Sequence, residues 1–99
     1  MADKLIFLLI QSTLTYNIYY LYILKCKDKT LYTGIANNLE RRIQEHNESN
    51  LGAKYTRARR PVKLVYLKRF KNRSNALKEE ARIKKLSRKE KLELIKNRS

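Results

Sequence analysis

Residues 18–26 read Ile-Tyr-Tyr-Leu-Tyr-Ile-Leu-Lys-Cys, an aromatic and branched apolar run that reads as a buried strand. Lys27-Asp28-Lys29 supplies a turn and Thr30 to Ile35 a returning strand, so the first structure this chain must make is a β-hairpin. The parity of its tyrosines constrains that hairpin. Paired residues in an antiparallel ladder keep a constant index sum, and side chains alternate between faces. Tyr22 and Tyr32 are both even-numbered. They share a face only across an odd-length loop, such as residues 26–28, or past a bulge. A site shared by the two therefore predicts a three- or five-residue loop, or a bulge. Gly34, at the end of the second strand, marks a bulge or a place where another group comes close to the backbone.

Downstream, Asn37-Asn38-Leu39-Glu40 opens a helix. Asn37 is positioned to cap it, with Glu40 at the third helical position completing a box-like cap. Leu39 and Ile43 are spaced i,i+4 and face the core. Arg42 and His46, also i,i+4, form the adjoining stripe at the core boundary, where a cleft wall would lie. Residues 47–61 read as loop, and Pro61 disfavours helix in the residue before it. Val62 to Phe70 returns to strand character. Ser74 caps a second helix running to about Leu86. Ser87-Arg88-Lys89-Glu90 is a capping box for a third, reaching about Ile95. The expected fold is therefore of the α+β type. It is a three-stranded antiparallel sheet flanked by three helices, in the order β-β-α-β-α-α. Residues 16–95 form that domain, and residues 1–15 an N-terminal arm. Leu5 to Ile10 is an apolar run far too short to span a bilayer, and it is expected to pack on the domain in part.

The chain's 99 residues suit one small domain. Its charge narrows the partner. Lys and Arg total 24 against 9 Asp and Glu, a net +15 at neutral pH, and such a field draws phosphate backbones or anionic surfaces. Nucleic acid is the favoured partner over a membrane or an acidic protein. One cysteine, Cys26, excludes an intramolecular disulfide, and one cysteine with one histidine cannot build a structural zinc site. A reduced thiol in the cytoplasm is the natural reading.

On the second helix, Leu77, Ala81 and Ile83 mark the side expected to be buried. Glu80 points toward it and Glu79 away. An inward carboxylate needs a cation. A salt bridge is the ordinary solution and a metal ion the sharper one. His46, Arg42, Tyr22 and Tyr32 are each unremarkable alone in a chain with seven tyrosines and a large excess of basic residues.

Together, Tyr20-Leu21-Tyr22, Tyr32-Thr33-Gly34, Arg42, His46 and Glu80 resemble the GIY-YIG nuclease family, over roughly Tyr19 to Leu86. The likeness is strongest to small single-domain bacterial members, and Gly52-Ala-Lys-Tyr-Thr56 before Arg59-Arg60-Pro61 supports that placement. The resemblance implies a compact three-stranded fold. It also implies one divalent metal, Mg²⁺ or Mn²⁺, held by Glu80 with water and phosphate oxygens. Arg42 would grip the scissile phosphate. Tyr22 would be the general base, with Tyr32 close behind, its pKa lowered by the metal and Arg42. His46 would shuttle a proton or orient a tyrosine or water. The sequence departs from the family pattern at Ile35, where many members carry Lys, and at Leu92, where several carry Asn.

Lys54, Tyr55, Arg57, Arg59, Arg60 and Lys63 cluster before the third strand. The cations are expected to contact phosphate without reading sequence, and Tyr55 to stack on an exposed base. The resulting expectation is a monomeric, metal-dependent endonuclease acting on branched, flapped or single-stranded DNA, with RNA as a further substrate class. The alternative is a non-catalytic nucleic-acid-binding module of the same fold. A protein partner in repair or recombination fits either reading.

Overall fold

The structure is a computed structural model, and it describes residues 18–97. The N-terminal arm expected over residues 1–15 lies outside the described residues. Strands β1 (Tyr19–Lys25), β2 (Leu31–Ala36) and β3 (Lys63–Phe70) form one antiparallel sheet in the order β2-β1-β3. The helices are α1 (Leu39–Glu48), the single turn α2 (Lys54–Arg57), α3 (Arg73–Lys84) and α4 (Arg88–Lys96). The expected α+β architecture is what forms, with α2 as an added turn inside the segment read as loop.

The central strand explains the unbroken apolar run. Residues 20–24 are all buried because β1 is covered on both faces. Tyr20, Tyr22 and Leu24 pack with Leu39 and Ile43 of α1. Leu21 and Ile23 pack with Ile83 of α3 and with Leu94 and Ile95 of α4. The hairpin loop is residues 26–30, five residues long, so the parity requirement is met without a bulge in this ladder. Tyr22 pairs with Gly34 and Leu24 with Tyr32, which puts the two tyrosines on one face as diagonal neighbours. Asp28 ties the turn by accepting from the Thr30 amide at 3.1 Å, and Lys29 takes the left-handed conformation with φ 71°.

Three local readings change. Asn38, not Asn37, caps α1, its side chain accepting from the Arg41 amide at 3.1 Å. Asn72, not Ser74, caps α3, accepting from the Asn75 amide at 2.8 Å. In both places neighbouring residues can cap, and the tertiary fold selects one. The Ser87–Glu90 box on α4 forms in full. The buried face of α3 also differs from expectation. Ala76 and Ile83 are its buried residues, while Leu77 and Ala81 are exposed. Glu79 and Glu80 both fall between Ala76 and Ile83 at helical spacing, so both lie along the inner face. Glu79 therefore does not point away. Its carboxylate is held by Arg82 at 2.7 Å and Lys68 at 3.4 Å.

Candidate active site on the α1 face of the sheet

The site begins with the phenol of Tyr22. Its residue is 1% exposed, and its hydroxyl lies 2.9 Å from His46 Nε2. His46 arrives from the last turn of α1, which Leu39 and Ile43 seat on the sheet. The imidazole is fully buried, and its other nitrogen, Nδ1, lies 2.8 Å from Thr56 Oγ1. Tyr32 packs edge-on against the same ring, centroids 5.2 Å apart, and sits 6.5 Å from the Tyr22 ring. Tyr22, Tyr32 and His46 thus form one cluster, as the sequence spacing anticipated.

Arg42, one turn before His46, stands at the rim. Its Nη1 donates to Glu45 Oε1 at 2.9 Å and to the Leu51 carbonyl at 2.8 Å. Those two anchors fix the guanidinium while its charge bears on the Tyr22 phenol. Glu80 of α3 pairs with Lys84 at 3.3 Å, the salt-bridge solution anticipated for an inward carboxylate. Its negative charge also reaches Tyr22.

The electrostatics set a resting state. Burial pushes the Tyr22 pKa up to about 12; Tyr32 and Glu80 add to the rise and Arg42 opposes it. The expected lowering of this tyrosine is therefore absent from the protein by itself, because burial outweighs one cation. Burial likewise pushes His46 down to about 4, with Arg42 and Arg60 acting in the same direction. At neutral pH the pair is a phenol hydrogen-bonded to a neutral imidazole.

Two glycines make room for this arrangement. A Cβ on Gly34 would stand 2.6 Å from the Tyr22 hydroxyl, so the group approaching that backbone is the phenol itself. A Cβ on Gly52 would stand 2.6 Å from the Glu45 carbonyl and 2.9 Å from His46 Cα. Gly52, Thr56 and Arg60 together enclose the end of α1. Arg60 donates from Nε to the His46 carbonyl at 2.6 Å and from Nη2 to the Glu45 carbonyl at 3.0 Å and to the Ser49 carbonyl. Cationic donors at a helix C-terminus satisfy its orphan carbonyls and complement its dipole. Asn47 completes the join through both atoms of its amide, which bond the Val62 backbone at 2.7 and 3.1 Å.

The basic cluster accordingly divides. Lys54, Arg57 and Lys63 are exposed. Arg60 is turned inward onto α1. Arg59 pairs with Asp28 at 3.0 Å and lies over the Tyr55 ring, 3.9 Å from its centroid. Tyr55 in turn stacks on Tyr32 with centroids 6.1 Å apart, so its ring already has partners within the chain. Sequence reasoning missed Thr56, Glu45 and Gly52. The short spacing of Gly52 and Thr56 before the basic run was visible, but their contact with His46 is tertiary. Ile35 lies beside the core on the α3 face, and Leu92 is exposed on α4.

For a metal, Glu80 is the carboxylate the site presents. Among the described residues no three His, Cys, Asp or Glu side chains gather into a ligand cluster. A hard divalent cation is compatible with one carboxylate when water and phosphate oxygens fill the remaining positions. Also among the described residues, no helix is long and apolar enough to cross a membrane.

Comparison with known proteins identifies the family. The family model described as the GIY-YIG catalytic domain matches residues 18–93. A UPF0213 protein of Syntrophus aciditrophicus is 62% identical over 77 residues, covering 78% of this chain and 88% of the relative. One from Clostridium perfringens is 59% identical over 80 residues, covering 81% and 85%. The solution structure of the UPF0213 protein of Bacillus halodurans is 43% identical, covers 80% of this chain and 83% of that one, and superposes with a TM-score of 0.53. The match spans all three strands, α1 and α3, and with them Tyr22, Tyr32, Arg42, His46 and Glu80: the chain belongs to the GIY-YIG catalytic domain family.

Proposed function

We propose that this chain is a metal-dependent endonuclease that hydrolyses DNA phosphodiester bonds in branched, flapped or single-stranded substrates. The observation that carries the reading is the buried Tyr22–His46 hydrogen bond, with the Arg42 and Glu80 charges both bearing on the phenol. Hydrolysis needs a deprotonated water, charge relief on the phosphoryl oxygens and help for the leaving oxygen. Arg42 is anchored through Nη1 and offers its remaining donors to a phosphate. Tyr22 is the general base, and His46 Nε2 is the acceptor within reach of its proton. Mg²⁺ or Mn²⁺ bound at Glu80 would stabilise the developing charge and offset the carboxylate that now raises the Tyr22 pKa. Lys54, Arg57 and Lys63 supply exposed cations that hold the backbone without reading sequence. Among the described residues the helices form no helix-turn-helix to read a groove, and the exposed cations favour preference for structure over sequence.

The test is cleavage of labelled branched, flapped, single-stranded and duplex DNA with Mg²⁺, Mn²⁺ or chelator, beside Glu80→Ala. Cutting that requires both the metal and Glu80, with a loss on the order of 100-fold or more in the variant, supports the proposal. Binding of every substrate with no cutting would replace it with the non-catalytic module.

A further inference from the structure

We propose that Thr56 is a positioning residue that fixes the tautomer of His46, keeping the proton on Nδ1 so that Nε2 faces Tyr22 as an acceptor. The inference deepens the nuclease reading and takes its catalytic meaning from it.

Thr56 is fully buried and sits in the one-turn helix α2, with nothing of it facing solvent. Its hydroxyl makes two contacts: the Ala53 carbonyl at 2.9 Å and His46 Nδ1 at 2.8 Å. A hydroxyl has one proton to give. A carbonyl oxygen can only accept, so two oxygens 2.9 Å apart without a proton between them would repel. The Thr56 proton therefore belongs on the Ala53 carbonyl, and the threonine oxygen accepts from Nδ1–H. The Ala53 amide also points at Nδ1, but at 3.4 Å, the longest of the three contacts, and a proton on Nδ1 gives up this one in favour of the two short ones.

The other end of the ring agrees. With Nδ1 protonated, Nε2 carries a lone pair and accepts the Tyr22 O–H at 2.9 Å. The opposite tautomer would aim Nε2–H at a phenol oxygen that the Arg42 guanidinium already faces. The Tyr22 proton would then have no acceptor in reach among the described residues. One relay satisfies all three side chains: Tyr22 O–H to His46 Nε2, His46 Nδ1–H to Thr56 Oγ1, Thr56 O–H to the Ala53 carbonyl. A histidine tautomer is set by the hydrogen bond its far nitrogen makes. Here a hydroxyl takes the part a carboxylate often plays. It leaves the imidazole uncharged and adds no negative charge beside a substrate phosphate.

His46 is the single histidine of the chain, so its ring nitrogens can be assigned directly in a long-range ¹H–¹⁵N spectrum. The wild-type protein at pH 7 is expected to show a protonated Nδ1 and an unprotonated Nε2. Thr56→Val keeps the shape and removes the hydroxyl; it should lose that preference and cut DNA on the order of 10- to 100-fold more slowly. Thr56→Ser should restore both. A wild-type spectrum with the proton on Nε2 overturns the inference, even if the valine variant fails to fold. So does a folded Thr56→Val protein with the wild-type tautomer. The spectrum is read without substrate or metal, so failure of the nuclease reading appears in the cleavage assay and failure of this one in the ring nitrogens.

Discussion

The Tyr22 ring lies over Gly34, its partner across the hairpin, so closely that a Cβ there would stand 2.6 Å from the phenol oxygen and 2.8 Å from Cζ. The glycine is needed for space and not for backbone conformation, since its φ is not positive. Tyr22 is buried and held by His46, so the ring has nowhere to retreat. Gly34→Ala should therefore destabilise the fold by about 1–3 kcal/mol, the usual cost of overpacking, and pull the phenol off His46. Urea denaturation measures the first effect and the His46 ring-nitrogen shifts the second. Wild-type values of both would show that the ring accommodates a methyl group.

Arg60 and Arg57 are three residues apart in one basic run and should behave oppositely. Arg60 satisfies three carbonyls at the end of α1. Its loss in Arg60→Ala leaves the His46 carbonyl without its donor, while the Glu45 and Ser49 carbonyls keep the Ser49 and Gly52 amides, and should cost about 1–3 kcal/mol. Arg57 is exposed. Arg57→Ala should change stability by less than about 0.5 kcal/mol while lowering the salt slope of DNA binding by about 1. Denaturation of each variant and DNA titrations at several salt concentrations separate the two. Equal stability of the two variants would contradict the division of the cluster.

What the sequence made legible was what local rules decide. Side-chain alternation placed Tyr22 and Tyr32 on one face once the loop was odd. The Ser87–Glu90 box declared its helix because its bonds lie within four residues. The α3 face was less legible because the helix carries few apolar residues. The small buried Ala76 set its orientation, while the larger Leu77 stayed exposed. Arg60 looked like its neighbours because charge composition does not record which cation meets a helix end. Thr56 was hidden for a related reason: it meets His46 ten positions away, through a turn that only the tertiary fold creates.

The buried imidazole gives stability a specific acid dependence. His46 moves from about 6.5 unfolded to about 4 folded. Between those values the unfolded chain binds more protons, so stability is full above pH 6.5 and lost as pH falls through 4. The loss should reach about 2 kcal/mol by pH 5. Glu79, drawn down to about 2 chiefly by its Arg82 hydrogen bond, acts in the same direction but only below its unfolded value near 4.5. Urea midpoints from pH 7.5 to 3.5 should fall in two stages, and Glu79→Gln should flatten the lower stage alone. A midpoint unchanged between pH 7.5 and 5 would mean that His46 is not held neutral.

Lys84 competes with any cation for Glu80. The pair is 3.3 Å apart and the lysine is half exposed, so a cation binding the carboxylate would have to displace it. Exposed pairs of this kind are worth about 0.2–1 kcal/mol. Removing the competitor should therefore tighten Mn²⁺ binding by up to about fivefold. Removing the carboxylate should abolish that binding. Lys84→Ala and Glu80→Gln differ from wild type on opposite sides of one ion pair, so a general loss of folding cannot mimic the pattern: one variant must bind better and the other worse. Calorimetric Mn²⁺ titration of the three proteins makes the comparison. Unaltered affinity in Glu80→Gln would remove the metal from this carboxylate. Weaker binding in Lys84→Ala would show that the lysine helps to hold the site and does not compete with the ion.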